Sequence, residues 1–261
     1  MSYVGTVGWA TQTNGVLRVR DKLEMARLAL ASGCLNMPTY LRYRRGYIRR
    51  FPDTVPFAQL REPREPAAAA ARSSLGTIAP AYLVNHSVRT YWFSRFIGMA
   101  VGLDDIDDEL LYVASLAHDV GLLPDYADQP GDAKCFSIRS ATWAVGVVAG
   151  FPGWGSERTA RLKEAIILNL NGRVARRRGT EAHLMMRGVL ADLTGVHGWL
   201  ISPRTRSDVY AALPPLEQRP DLARLFTAEG DRHPNCRGHF VDHRLGFGLL
   251  MRHAPPPPLA G

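Results

Sequence analysis

Hydrophobic residues recur every three or four positions through most of the 261-residue chain. This spacing is typical of amphipathic α-helices, and the chain lacks the sustained alternation of apolar and polar residues that half-buried strands require. Pro, Gly and clusters of Asp separate the helical stretches. The predicted helices cover residues 21–32, 66–72, 80–101, a segment ending at 118, 136–149, 156–170, 181–193, 216–226 and 237–251. The pattern therefore predicts an all-α protein of about eight or nine helices.

Ionisable groups interrupt the apolar faces of three of these predicted helices. His118 and Asp119 follow an apolar run and precede the helix-stopping Gly121, His86 falls on the inward face of 80–101, and Asp192 shares the apolar stripe of 181–193. Burying a carboxylate beside an imidazole costs several kcal/mol unless both find a partner. A divalent cation is one partner that pairs with all four groups.

Each of these residues also has an ordinary explanation. A single inward His is often a hydrogen-bonded core residue, and Asp192 could cap a helix or pair with an arginine. The acidic residues of 104–108 do not form a calcium loop, because the Gly and the closing Glu of such a loop are missing. One metal ion explains the burial of all four residues at once, provided that the two imidazoles and two carboxylates meet at one point.

Composition narrows the class of partner. The net charge of +8 is carried mainly by arginine, but the densest groups, 42–50 and 173–178, lack the interleaved aromatic residues that stack on nucleic acid. We therefore do not expect nucleic acid as a partner, and place these arginines on solvated faces or in the contacts of a homo-oligomer. No apolar run reaches the roughly 20 residues of a membrane span, so we expect a cytoplasmic protein without a membrane partner. The three cysteines are expected to be free thiols.

The order of His86, His118-Asp119 and Asp192 resembles that of the HD-domain superfamily of metal-dependent helical enzymes. The resemblance is closest to the cyanamide hydratase-type branch, and the similar segments are 51–54, 83–93, 117–121, 136–141, 164–169 and 181–195. It implies an all-α, HD-domain-like helical bundle with a metal site between core helices. The implied organisation is an N-terminal helical arm packing on the core (1–50), an HD domain (51–200) and a C-terminal helical extension with a Pro-rich tail (201–261).

The resemblance implies one divalent metal ion, with His86, His118, Asp119 and Asp192 as its ligands. Zinc is favoured, with iron or manganese as alternatives. Water activated at this ion, with Asp119 as a catalytic residue, would then add to a small nitrile-like or amide-like substrate. Asn169, which stands where the branch usually has a histidine, and Asn171 are candidates to orient that substrate. His183 is the candidate proton shuttle.

Two other functions remain open from the sequence. The first is a phosphohydrolase acting on a nucleotide or phosphate ester, which the arginine clusters favour because they could grip phosphate. The second is a scaffold that binds a ligand or partner without turnover, an idea prompted by Asn169. A stoichiometric metal ion at neutral pH would favour either enzyme over the scaffold.

Overall fold

The computed structural model describes residues 3–49, 56–127 and 135–254 and confirms the all-α prediction. Within these residues there are twelve α-helices and no strand. Five short 3₁₀ turns join some of them. The helices are α1 (Val7–Thr13), α2 (Val19–Arg44), α3 (Pro66–Ile78), α4 (Ala81–Ala100), α5 (Asp108–Ala117), α6 (Phe136–Val148), α7 (Ser156–Leu168), α8 (Thr180–Thr194), α9 (Pro203–Ala212), α10 (Gln218–Arg232), α11 (Arg237–His243) and α12 (Phe247–Arg252).

The centre of the bundle is the crossing of α4 and α8. Fourteen residues of α4 are buried, so this helix is covered on almost every side. Gly188 lets the two helices approach closely, since a Cβ at this position would overlap the Ser94 side chain and the Thr90 carbonyl oxygen. Ser94 also donates a hydrogen bond to the Leu184 carbonyl oxygen of α8 (3.1 Å). The inner faces of α4 and α8 are therefore held in a fixed register.

The end of α5 presents the His-Asp pair to this crossing. Asp107 caps the helix by accepting a hydrogen bond from the Leu110 N–H (3.0 Å), as the acidic cluster of the sequence suggests. The helix ends at Ala117, and a 3₁₀ turn begins at Val120. His118 and Asp119 thus lie at a bend of the backbone. Gly121 is needed at this bend, because a Cβ there would overlap the Phe136 carbonyl oxygen of α6.

Some predicted helix boundaries were wrong. Gly33 does not stop α2, which continues to Arg44. The φ angle of Gly33 is not positive, so the backbone stays helical at this residue. Residues 7–13, which none of the predicted helices covers, form α1 around the fully buried Trp9. The segment 237–251 is two helices, since Gly246 takes a left-handed conformation (φ 72°). Helix α9 had no predicted counterpart.

Both ends of the described chain contact the core. Asn171, just after α7, donates a hydrogen bond to the Val4 carbonyl oxygen (2.8 Å) and accepts one from Arg237 of α11 (3.3 Å). The division into 1–50, 51–200 and 201–261 stays a prediction. The 51–54 motif and the Pro-rich tail from residue 255 lie outside the described residues. Across the described part of the chain, none of the helices has both the length and the apolar character needed to span a membrane.

Candidate metal centre

Three buried side chains meet where α4 passes the end of α5. The Nε2 atoms of His86 and His118 are 3.2 Å apart, and the Asp119 Oδ2 atom lies 3.6 Å from the first and 3.2 Å from the second. All three residues are almost completely shielded from solvent. Their ligand atoms lie within 4.8 Å of one another, a spacing at which one ion can contact all three.

The hydrogen bonds around the two imidazoles assign their protons. His118 Nδ1 is 2.8 Å from the Ser115 carbonyl oxygen, which only accepts, so Nδ1 carries the proton and donates. His86 Nδ1 is 2.6 Å from the Asp192 Oδ2 atom and donates to it for the same reason. When both rings are neutral, as ligation of a cation requires, each turns an Nε2 lone pair towards Asp119; when no cation is bound, an Nε2 proton bridges to the Asp119 carboxylate instead. Two nitrogen lone pairs and a carboxylate oxygen directed at one point repel one another, and a cation at that point relieves the repulsion.

Asp192 lies behind His86, on the far side of its ring from Asp119. Its carboxylate accepts hydrogen bonds from Arg89 Nε at Oδ1 (2.7 Å) and from Arg89 Nη2 at Oδ2 (3.0 Å). Gln218 of α10 donates a further bond to Oδ2 (3.0 Å). Asp192 is therefore outside the group of three, with its oxygens already engaged. Its predicted role as a fourth ligand stays a prediction.

Arg89 connects this carboxylate to the chain that follows α9. Its guanidinium is completely buried, donates to the carbonyl oxygens of Leu213 (2.7 Å) and Pro214 (3.2 Å), and forms a short hydrogen bond with Gln218. The Tyr210 ring lies against it, 5.3 Å from the guanidinium carbon. This network fixes the Asp192 carboxylate and, through it, the orientation of the His86 ring.

The charges of the centre shift its pKa values in opposite directions. Burial alone would raise the pKa of Asp119, but His118 and His86 outweigh it and hold that pKa well below the usual range of a carboxyl. Burial would also raise the pKa of Asp192, but Arg89 and His86 outweigh burial and lower that pKa overall. For His86, burial lowers the pKa but the hydrogen bonds with Asp119 and Asp192 raise it overall. Both carboxylates are therefore charged at neutral pH, as ligands or ligand supports must be.

A mostly apolar cavity of about 260 Å³ reaches Asp119. Its walls come from α2, the end of α7, α8 and the C-terminal helices. The lining residues are Ala29, Ser32, Gly33, Asn36, Met37, Tyr40, Asp119, Asn169, Leu170, Asn171, Gly172, Met186, Val189, Leu190, Leu193, Val196, Phe226, Val241, Leu245, Phe247 and Leu250. Among these described lining residues there is no Lys or Arg, and Asp119 is the one charged group.

Asn169, a candidate to orient the substrate, is among the residues that line this cavity, as is Asp119. It is the C-terminal cap of α7. Its Oδ1 atom is buried and finds no hydrogen-bond partner among the described residues. A buried amide oxygen left without a partner costs about 1–3 kcal/mol, a penalty that a bound N–H donor would remove.

Asn171 and His183 are placed differently from the sequence expectation. Asn171 also lines the cavity, but the bonds of its amide with Val4 and Arg237 occupy both ends of the side chain, so it acts as a tie between segments. His183 is absent from the cavity wall and donates from Nδ1 to the Val174 carbonyl oxygen (2.7 Å). The reason is helical geometry, because nine residues separate it from Asp192 and turn its side chain to the opposite side of α8.

None of the arginines of 173–178 is among the residues that line the cavity. Arg176 forms an exposed ion pair with Asp105 (2.9 Å), and Arg178 stacks on the Tyr3 ring with its guanidinium carbon 4.4 Å from the ring centre. These contacts attach the turn before α8 to neighbouring segments. Because Arg176 and Arg178 make these contacts, they do not support the phosphate binding at this centre that the arginine clusters suggest.

Sequence reasoning missed several parts of the site. Gln218 gave no signal, because a lone Gln at a helix start has no distinctive spacing. The wall contributed by α2 was missed because that helix was predicted to end at Gly33. Tyr82, one turn before His86, was also missed; burial and the nearby Asp119 raise the pKa of its phenol, which therefore stays protonated.

The family model of the HD domain matches residues 83–175, about a third of the chain. The matched segment contains His86, His118 and Asp119 and ends before Asp192. No curated protein matches the chain. Members of the HD domain family are generally metal-dependent hydrolases, and their metal site is compatible with the buried cluster described above. The family match, the helical bundle and this cluster together support placing the chain in the HD-domain superfamily.

Proposed function

We propose that this protein is a metal-dependent hydratase or hydrolase that adds water to a small substrate with an apolar body and a nitrile-like or amide-like end. The proposal extends the family assignment towards the cyanamide hydratase-type branch that the sequence resembles. The observation that carries it is the apolar cavity, whose lining includes Asp119 and Asn169, a residue with a buried and unpartnered amide oxygen. Apolar walls with a few convergent polar groups are typical of small-molecule sites.

His86, His118 and Asp119 suit a divalent metal ion by their chemistry and their spacing. Zinc is favoured for two imidazoles and a carboxylate in a buried site, with iron or manganese as alternatives. When bound, such an ion lowers the pKa of water towards neutrality and polarises the atom under attack. Asp192 serves either as a further ligand or, as its hydrogen bond to His86 Nδ1 favours, as the support of that ring.

The remaining roles belong to the chain itself. Asp192 and Arg89 hold the His86 ring so that Nε2 faces the centre, and the Ser115 carbonyl oxygen does the same for His118. Asn169 accepts a hydrogen bond from a substrate N–H, which positions the electrophilic carbon beside Asp119. The apolar walls exclude bulk water and strengthen these polar contacts.

The competing function is a phosphohydrolase, which the family assignment allows equally. A phosphate ester needs cationic donors around its oxygens. The cavity offers none among its described lining residues, and Arg176 and Arg178 are engaged elsewhere. This charge pattern is why we rank the hydratase or hydrolase first.

A substrate panel with the metal-loaded protein tests the proposal. We expect conversion of apolar nitriles to amides, or of amides to acids, and no phosphate release from nucleotides or simple phosphate esters. His118→Ala should abolish turnover, whereas His183→Ala, a histidine outside the cavity, should retain it. Asn169→Leu should lower kcat/KM about tenfold, the value of one lost hydrogen bond, and leave the metal content unchanged.

Two results would refute this function. Phosphate release that depends on His118, with no turnover of nitriles or amides, would establish the phosphohydrolase. A purified protein that holds no stoichiometric metal at neutral pH and converts neither class would indicate a binding scaffold.

A further inference from the structure

Helix α2 carries a second apolar stripe that faces away from the core. Its inward face, which includes Met25 and Leu28, packs on the bundle. The outward stripe consists of large apolar side chains that are exposed, namely Val19, Leu23, Leu30 and Met37. At 100° per residue these four positions lie within about 40° of one another around the helix. The stripe is therefore narrow, and it runs for about 27 Å along α2, ending just before the internal Pro38.

The spacing of this stripe is that of a helix-pairing seam. Leu23, Leu30 and Met37 are seven residues apart, and Val19, Ala26 and Gly33 fall between them at the alternate positions of the same heptad. A seam of two positions in seven is narrower than the apolar face of a helix that lies on a core or on a lipid surface. The pattern indicates that one further helix packs against α2.

Gly33 supports the same interpretation from within the chain. It sits inside α2 with a helical backbone, where glycine lowers helix stability relative to alanine. Gly33 borders the cavity, and a Cβ there would meet nothing within 4 Å, so packing within this chain does not require the small side chain. Because glycine has no side chain, it allows a group outside the chain to approach the backbone of α2 closely at this position.

We propose that α2 is a homodimer interface, in which two copies of the chain pair their outward stripes antiparallel about a two-fold axis that crosses the outward face at the level of residue 28. This register sets Leu30 against Ala26 of the second copy, Leu23 against Gly33 and Met37 against Val19. Each large side chain thus meets a smaller one, and the pattern is self-complementary, as a two-fold interface requires. Burying the stripe in both copies removes on the order of 1,000 Å² of surface, the lower limit of a specific interface.

The charges beside the stripe predict how salt affects the pairing. Arg20 and Arg27 are exposed along one edge of α2, and the two-fold arrangement brings this edge against its own copy. The buried Asp21 carboxylate lies 3.5 Å from Arg20 and offsets part of its charge. Between residues 18 and 49, a described part of the chain, no Asp or Glu is exposed along the edge beside Arg27. Added salt screens this repulsion, so the dimer should be tighter at high ionic strength. Binding of the same arginines to an anionic lipid surface would weaken instead.

Analytical ultracentrifugation of the full chain tests the interface. We expect the wild type to be a dimer at micromolar concentration, with a dissociation constant that falls as NaCl rises from 0.05 to about 0.5 M. Leu30→Glu should raise the dissociation constant at least about tenfold. Leu35→Glu is the matched control: Leu35 is 60% exposed and Leu30 69%, but Leu35 lies about 140° further round the same helix. It should leave the dimer intact.

A second variant tests the register. Gly33→Leu has room within the chain but fills the space that Leu23 of the second copy needs, so it should also raise the dissociation constant at least about tenfold. Circular dichroism should confirm that both disruptive variants remain folded. Cys34 gives the orientation, because antiparallel pairing holds the two copies of this exposed residue about 18 Å apart and parallel pairing brings them together.

Three outcomes would overturn the proposal. These are a wild type that stays monomeric at 100 μM in high salt, a dimer that Leu30→Glu and Leu35→Glu affect equally, and disulfide crosslinking through Cys34 under mild oxidation. Binding of a monomeric wild type to phosphatidylserine vesicles, lost on adding salt, would assign the stripe to a lipid surface instead.

Discussion

Arg89→Met tests the buried ion pair that supports His86. The Arg89 guanidinium and the Asp192 carboxylate are both completely buried and are joined at 2.7 Å. Methionine keeps much of the volume of arginine but none of its charge, so the carboxylate stays buried without its cation. Removing one partner of a buried pair costs about 3–5 kcal/mol. Because His86 also bonds this carboxylate and can take up a proton, we expect the lower end of that range, about 3 kcal/mol.

Urea unfolding of the metal-free protein, followed by circular dichroism, measures this loss. The informative set is Arg89→Met, Asp192→Asn and the double variant, since Asn keeps the shape of Asp without its charge. The double variant should be more stable than Arg89→Met by at least about 1 kcal/mol, because it no longer buries an unpaired carboxylate. Arg95→Met is the matched control: its partner Asp108 is part-exposed, so the change should stay within about 1 kcal/mol.

The reasoning fails if Arg89→Met loses less stability than Arg95→Met, or if the effects of Arg89→Met and Asp192→Asn simply add. Either result would mean that the pair does not act as a unit. The same proteins give a second readout by titration calorimetry with zinc. If Asp192 supports the His86 ring, Asp192→Asn should weaken zinc binding about 10–100-fold without abolishing it. Complete loss of zinc would instead identify Asp192 as a ligand.

Three further changes give distinct results. His118→Ala should reduce the zinc content of the purified protein from about one ion per chain to near zero by elemental analysis, whereas His183→Ala should keep it. Burial lowers the pKa of His197 from 6.5 to about 3. The unfolded chain therefore binds a proton on this residue at pH 5 and the folded chain does not, so the free energy of unfolding falls by about 2 kcal/mol between pH 7 and 5. Urea unfolding should show this part of the pH dependence lost in His197→Asn; an unchanged dependence would contradict the assignment. Gly188→Ala should lower the free energy of unfolding by about 1–3 kcal/mol through overlap with α4, whereas Gly146→Ala, with open space around its Cβ, should be neutral or slightly stabilising.

The helices and the central cluster were predictable because their signals are local. The three-to-four-residue spacing of apolar positions predicted α4 to α8 within a few residues, and Pro, Asp and Gly marked most of their ends. His86, His118 and Asp119 stood out because ionisable residues on apolar helix faces need a shared partner. These residues meet in the structure within 4.8 Å.

The parts that were missed depend on contacts between distant segments. The hydrogen bonds that engage Asp192 come from Arg89, three residues beyond His86, and from Gln218, on a helix whose position no periodicity reveals. Gly33 was taken as a stop because glycine often ends helices, but the backbone there stays helical. His183 was assigned to the site by its type, although its position on α8 turns it away.

The cavity walls and the metal-binding cluster come from different parts of the chain. His86, His118 and Asp119 all belong to the segment that matches the HD domain, whereas most cavity-lining residues lie outside it, on α2, α8 and the C-terminal helices. Substitutions in those outer helices can reshape what the protein accepts while the reactive groups stay untouched. If the proposed function holds, new specificities can therefore evolve on this scaffold through substitutions that leave His86, His118 and Asp119 unchanged.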